Sequence, residues 1–478
     1  MKKDEYDAII IGAGIGGLVC GCYLAKSGLK TLIIEQHSVA GGYCTSFTRQ
    51  GYQFDSSIHY IGGVKRGSLS EILNELEAEG DLDFVQMDPA DKIIMPESTT
   101  YIRANPHNTI QEFKKNWPKE SGNIENFFKF SMQPSIPTIY KNTANLSFEK
   151  ILNSFFKNKQ LKAAIELLFF ANMGLPSSKL SAFASIIFFR EFLLDPGYYP
   201  KGGMQQFANY LLSKFNFYGG QIILSQKVSK IILKNHKIDS VIVSSQQEFN
   251  SKYLVACIDT TQLFKNLLES STPESKTIDR LIPSNSIFAA YLGMSEGFTL
   301  RVNETCNIWY SSTIDFDKCY KSLSSNIQNK RIPFMLISFP SHKASTSLNT
   351  HKFSIQFFTP STFETKEFWN KNRNLIFNEM LDLAKKIIPG IEESIKIKVT
   401  ATPLTFQRYT LNREGATFGW ASTIEQTKTS LLPQETSIKN LFLAGHWCIT
   451  GAGQGGISTV ALSGKKAALR IIKLLGNK

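Results

Sequence analysis

Residues 6–17, Tyr6-Asp7-Ala8-Ile9-Ile10-Ile11-Gly12-Ala13-Gly14-Ile15-Gly16-Gly17, decide the fold. The first half is a β-branched run suited to a strand buried on both faces, and beyond the glycines an apolar helix runs to about Lys26. Gly12 permits a tight turn, Gly14 lets backbone approach a pyrophosphate, and Gly17 lets the helix pack on the strand, with the helix N-terminus aimed at the negative charge. A second strand over residues 30–34 ends at Glu35, 18 residues beyond Gly17, where an acid accepts ribose hydroxyls. Strand, glycine turn, helix, strand and acid in this order predict a dinucleotide site that includes Gly12, Ala13, Gly14, Gly16, Gly17 and Glu35, and Glu35 argues against a 2′-phosphate there.

The charge-free residues 8–25 reach the length of a membrane span, but Gly12, Gly14, Gly16, Gly17 and Gly21 suit a strand-to-helix turn better than a lipid-facing helix. A second glycine pattern, residues 451–456, is not read as another nucleotide domain. Only 22 residues follow Gly456, and Leu474 stands where the acid should be. The reading here is a strand over residues 440–444, a glycine loop, and a helix over 457–475 whose N-terminal amides can stabilise negative charge on a bound group.

The 478 residues suggest two or three domains, and 42% hydrophobic, 12% aromatic and 19% charged residues exclude disorder and fibres. The net charge of +13 favours anionic lipid, nucleic acid or acidic substrates without choosing among them. No nucleic-acid module is spelled, so a nucleic-acid partner is not expected. Seven scattered cysteines form no Cys-x-x-Cys, which spells neither a disulfide framework nor a metal site and suggests a reducing compartment. Asp4, Glu5 and Asp7 spoil a signal-peptide n-region, so the expected location is cytoplasmic.

Beyond Tyr198-Tyr199-Pro200-Lys201-Gly202-Gly203-Met204, a helix over 205–215 is followed by β runs over 222–224, 228–233, 238–244 and 253–258, with a turn at Asn235-His236-Lys237. The nucleotide domain is thus expected from three pieces, 1–65, 198–260 and 401–478. Residues 66–197 and 261–400 then form a substrate domain. Within it, Phe148, Ile151, Leu152, Phe155 and Phe156 keep helical spacing beside four lysines, which fits either a membrane interface or an ordinary core-facing helix. The stretch 341–350 reads as a surface loop.

With these pieces placed, the chain resembles the phytoene desaturases, carotenoid isomerases and retinol saturases. The resemblance rests on the Gly12 motif, Gly41-Gly42, Phe54-Asp55-Ser56-Ser57-Ile58-His59-Tyr60-Ile61-Gly62, Tyr199 to Met204, Thr402-Pro403-Leu404-Thr405-Phe406, Gly415 to Trp420, and Asn440 to His446. It covers about half the chain, and Tyr43-Cys44 replaces the arginine that follows the paired glycine in many phytoene desaturases. The 58–62 stretch is closer to retinol saturases. The resemblance implies non-covalent FAD in a discontinuous α/β domain of the glutathione-reductase type, with a second α+β domain for substrate. It places the pyrophosphate at Gly12 to Gly17, ribose at Glu35-Gln36, the adenine near Val228, and the flavin ring between Gly42-Tyr43, His59-Tyr60 and Gly456-Ile457. Gly445 and His446 are placed at the pyrophosphate or ribityl chain.

The implied reaction is desaturation, saturation or isomerisation at C–C and C=C bonds of a long hydrophobic isoprenoid such as a carotenoid or retinoid, with NAD(P)H as an optional external donor. Such a substrate partitions into bilayers, which suggests peripheral membrane association. His59 is the candidate for proton transfer, since imidazole titrates near neutrality. An amine oxidase or monooxygenase on the same fold, and a non-catalytic flavoprotein, are the alternatives. Cys44 has no second cysteine nearby for disulfide chemistry.

Overall fold

The structure is a computed structural model that describes residues 5–77, 82–133, 135–268, 271–298, 300, 306–323, 331–340, 352–427, 432–448 and 456–476. The apolar run at the start forms the strand Glu5–Ile11, and its alternate faces fill two different cores, Ala8 and Ile10 on one side and Ile9 and Ile11 on the other. That two-sided burial places it at the centre of a seven-stranded sheet. Thr31–Ile34 and then Gln221–Ile223 pair parallel to it on one side, and the end of Glu248–Ala256 pairs parallel on the other. Leu441–Leu443 extends the parallel part through Leu254 to Ala256.

The first residues of Glu248–Ala256 instead close an antiparallel meander with Lys237–Val243 and Val228–Lys234. The turn between the latter two carries Asn235 and His236 at φ 50° and 58°, the left-handed pair a tight hairpin needs. The strand expected over 253–258 starts five residues earlier, because its polar first half is recruited by the meander.

A second seven-stranded sheet runs Ile395–Ala401, Ser286–Met294, Ser354–Ser361, Phe334–Ser338, Asn307–Ser311, Asp91–Met95 and Ser98–Ile102 in spatial order. All its pairings are antiparallel except Asn307–Ser311 on Asp91–Met95. The helices between residues 106 and 193 cover it with a Phe-rich core.

The helix Phe148–Phe155 belongs to that core. Phe148, Ile151, Leu152 and Phe156 are buried, and Phe127 meets Phe155 and Phe156 at ring distances of 5.6 and 5.3 Å. Its apolar face is therefore covered by protein, the packing that the core-facing reading expects. Among the described residues no helix is long and apolar enough to cross a membrane. The loop at 341–350 and the glycines 451–455 lie outside the described residues.

One buried acid in this region gives a pH-dependent prediction. Burial, reinforced by Asp317 and Glu149, pushes the Glu166 carboxyl up to about 7, although it accepts the Ser177 amide at 2.7 Å. A folded-state value above the unfolded one means that stability is lost as pH rises from about 4.5 through 7. Glu166→Gln is expected to raise the melting temperature at pH 8 and leave it unchanged at pH 4.5, as read by thermal denaturation at the two pH values.

Candidate functional site

The glycine turn has the shape its sequence requires. Gly12 sits at φ +98°, and a Cβ at Gly17 would run into the Gly12 carbonyl oxygen, so the helix Ile15–Lys26 can start this close only with glycine there. Nothing in the protein lies within 4 Å of a Cβ built at Gly14, which opens onto a cavity of about 740 Å³. The helix has no side-chain cap and no acid in its first turn, which leaves its first amides for an anion.

Glu35 ends the second strand and is 8% exposed. Its Oε2 accepts the Ala13 amide at 2.7 Å and its Oε1 accepts the His37 amide at 3.0 Å, which ties the acid to the turn. Gly12, Gly14, Gly16, Gly17, Glu35, Gln36, Gly42, Tyr43, His59, Tyr60, Val228, Gly445, His446, Gly456 and Ile457 all line the one cavity. Ala13 does not; its side chain is fully buried in the core and only its amide serves the site.

His446 follows the strand Leu441–Leu443. Burial lowers its pKa to about 4, so the ring is neutral at physiological pH, and its Nε2 lies 3.4 Å from the Asn412 amide nitrogen. The same Asn412 amide donates to the Tyr43 hydroxyl at 3.1 Å, and burial pushes that phenol up to about 12. Tyr43 in turn donates to the Ala416 carbonyl at 3.0 Å.

His59 stands in the opposing wall. Its Nδ1 is 3.0 Å from the Asn307 amide nitrogen and its Nε2 is 3.3 Å from Asn172 Oδ1, while Trp309 and Tyr60 pack edge-on against the ring at 5.2 and 5.0 Å. Tyr60 stacks on Phe192 at 4.8 Å, and Phe192 on Phe188 at the same distance, because the π-helical segment Phe189–Leu193 follows directly on the helix Ala182–Phe188. The sequence reading missed Asn172, Asn307, Asp259 and Asn412 as wall residues or supports. For Asp259 a signal existed, an acid just past a strand end, as at Glu35. Asp259 takes the Thr261 and Arg413 amides at 2.6 and 2.5 Å, and burial raises its pKa.

The second sheet supplies the apolar part of the wall, with Ile287, Tyr291, Phe334, Leu336, Phe358 and Val399, and no charged side chain from its strands lines the cavity. Among the described residues no cluster of three metal-ligating side chains occurs.

A family model for flavin-containing amine oxidoreductases matches residues 15–472. The chain belongs to that family. As in other flavin-containing amine oxidoreductases, its cofactor is FAD, and the open glycine turn, orphan amides and the acid at the end of the second strand fit that group. Relatives include the all-trans-retinol 13,14-reductase of Rattus norvegicus, 25% identical over 99% of this chain and 88% of the relative, and the chloroplastic prolycopene isomerase of Daucus carota, 26% identical over 99% and 81%. An oxidoreductase from Methanosarcina mazei superposes with a TM-score of 0.69 at 17% identity, over 98% of this chain and 99% of that one. Putrescine oxidase bound to putrescine gives 0.66 at 14%, over the same shares. These solved structures establish the mixed α/β fold of FAD-dependent oxidoreductases.

Glu35→Gln leaves one acceptor where the carboxylate serves two backbone amides, so its NH2 must face the Ala13 or the His37 N–H, and it removes the negative charge at the end of the second strand. We expect FAD to bind at least about tenfold more weakly and the melting temperature to fall, measured by flavin fluorescence titration and thermal denaturation.

Proposed function

We propose that this enzyme transforms C–C or C=C bonds of a long apolar isoprenoid, of the retinoid or carotenoid class, by saturation, desaturation or isomerisation. The observation that carries the proposal is the uncharged wall that the second sheet presents to the cavity containing the glycine turn. An amine substrate would want a carboxylate. The acids lining the cavity, Glu35, Glu191 and Asp259, already take backbone amides of the fold. The retinol reductases and prolycopene isomerases among the relatives support the same class.

In this reading residues 1–65, 198–260 and 401–478 are a FAD domain of the glutathione-reductase type, and 66–197 and 261–400 hold the substrate. The glycine turn binds the pyrophosphate, Glu35 and Gln36 the ribose, Val228 flanks the adenine, and Gly445 and His446 lie along the ribityl chain. Gly42, Tyr43, Tyr60, Gly456 and Ile457 enclose the ring. Bound FAD supplies hydride exchange at its ring. The chain excludes water with Phe188, Phe192, Phe334 and Phe358, and His59 is the polar group facing the reacting carbons. Peripheral attachment to a membrane surface, in the cytoplasm, would bring the substrate to the cavity, and NAD(P)H is a candidate donor.

The test is anaerobic incubation of the flavin-loaded protein in lipid with retinol and with cis-carotenoids, with and without NADPH, followed by chromatographic analysis of products. A dihydro, dehydro or isomerised isoprenoid is expected. Substrate-dependent peroxide from amines with unchanged isoprenoids would overturn the proposal. His59→Gln should retain FAD and lower turnover by about 100-fold.

A further inference from the structure

Asp91 is fully buried, in a strand whose sequence, Asp91-Lys92-Ile93-Ile94-Met95, otherwise reads as plain sheet. A carboxylate in such a place needs donors around it. Trp309 Nε1 donates to its Oδ1 at 2.7 Å, the Tyr60 hydroxyl to its Oδ2 at 2.6 Å, and the Asn307 amide to its Oδ1 at 3.4 Å. The burial and the neighbouring Asp91 charge push the Tyr60 phenol well above its ordinary pKa, which keeps it a donor.

The three donors arrive by register. Asn307 is the parallel-sheet partner of Asp91, Trp309 lies two residues along the same strand face, and Tyr60 follows His59 in the chain.

Asp91 Oδ1 already takes the Trp309 N–H, which can only donate, so it meets Asn307 as an acceptor and the side of the Asn307 amide facing it is the nitrogen. That same nitrogen lies 3.0 Å from His59 Nδ1, so Nδ1 receives a hydrogen bond and carries no proton of its own. The other side of the ring is fixed independently. Asn172 Nδ2 donates to the Leu168 carbonyl at 2.7 Å, which leaves Asn172 Oδ1 turned to His59 Nε2 at 3.3 Å as an acceptor. A backbone carbonyl at one end of the chain of bonds and a buried carboxylate at the other give it a single direction.

We infer that Asp91, acting through Asn307, is a positioning residue that holds His59 as the tautomer with its proton on Nε2, so that this nitrogen is a hydrogen-bond donor, to Asn172, and not a base. This deepens the proposed function, on which it rests for His59 facing the substrate. It has a chemical consequence. If the enzyme removed hydrogen from its substrate, the proton leaving carbon could not be taken up at His59 Nε2, and another group would have to receive it.

The groups facing His59 among the described residues include the Asp91 carboxylate behind Asn307, the adjoining Tyr60 hydroxyl, and the uncharged Asn172, Trp309 and Phe192. The experiment is a two-bond ¹H–¹⁵N correlation spectrum of the histidine-¹⁵N-labelled, FAD-loaded protein at pH 7.5, with the His59 signals assigned by their loss in His59→Gln. A single Nε2–H form is expected in the wild type. In Asn307→Leu the Nδ1–H form should become populated, while FAD content verifies the fold.

A wild-type ring with its proton on Nδ1, or protonated on both nitrogens, overturns the inference, as does an Asn307→Leu protein that keeps the single Nε2–H form. The wild-type spectrum is decisive even where Asn307→Leu does not fold. The readout needs no substrate, so a protein inactive on every isoprenoid would overturn the proposed function and leave the tautomer assignment standing.

Discussion

Gly14→Val is expected to yield a folded protein without flavin. Beyond its chain neighbours, no protein atom lies within 4 Å of a Cβ at Gly14, so the new side chain enters the space into which the turn opens and not the packed core. We expect FAD affinity to fall by at least about 100-fold. The purified protein should be colourless, with circular dichroism like that of wild-type protein stripped of FAD. Gly17→Val should lose flavin as well, but by a different route. Its branched side chain would overlap the Gly12 carbonyl oxygen, and the strand-to-helix turn would have to open, so this variant should also melt earlier than the stripped wild type. A flavin-replete Gly14→Val protein would refute the placing of the pyrophosphate.

The second large effect is expected where two helices meet without side chains between them. The closing helix Ile457–Gly476 crosses Ile15–Lys26 at Gly464, whose Cβ would overlap the Gly16 carbonyl oxygen and come within 3.1 Å of the Cys20 amide. On the other helix, a Cβ at Gly16 would come within 3.1 Å of Gly445 backbone and 3.3 Å of Val460. Backbone is on both sides, so neither can give as a side-chain end would. Gly464→Val should cost upwards of about 3 kcal/mol, at the high end of overpacking substitutions, and Gly464→Ala part of that. Denaturant titration monitored by flavin release and by far-UV circular dichroism would measure both. An unchanged midpoint for Gly464→Val would contradict the crossing.

What could be read from the sequence was what depends on neighbours along the chain. The strand, turn, helix and acid of residues 5–35 are legible because each glycine meets a need set within a few residues, and the meander is legible from its alternation and its Asn235-His236 turn. The companions of His59 are a different matter. Asn172 lies 113 residues away on the helix Lys159–Met173, and Asn307 lies 216 residues from Asp91, brought beside it only by the register of two parallel strands. An Asn and an Asp in unrelated apolar runs carry no mark that they will face one another. The helix Phe148–Phe155 illustrates a second limit. Its amphipathic spacing states that one face will be covered, but lipid and the rings of Phe127 and Phe169 satisfy the pattern equally, and only packing chooses between them.

The way the nucleotide-side sheet is gathered also bears on how the protein comes into being. The glycine turn is synthesised well before the segment that closes over it: Gly62 meets Ser458 across a separation of 396 residues, and the helix after the turn is covered by a segment translated still later. At roughly 5–20 residues per second, the ribosome leaves that apolar helix without this cover for about 20–90 seconds. We therefore expect expression to depend on holding chaperones, and slowed translation of the middle of the message to lower the yield of flavin-loaded enzyme more than it lowers total protein.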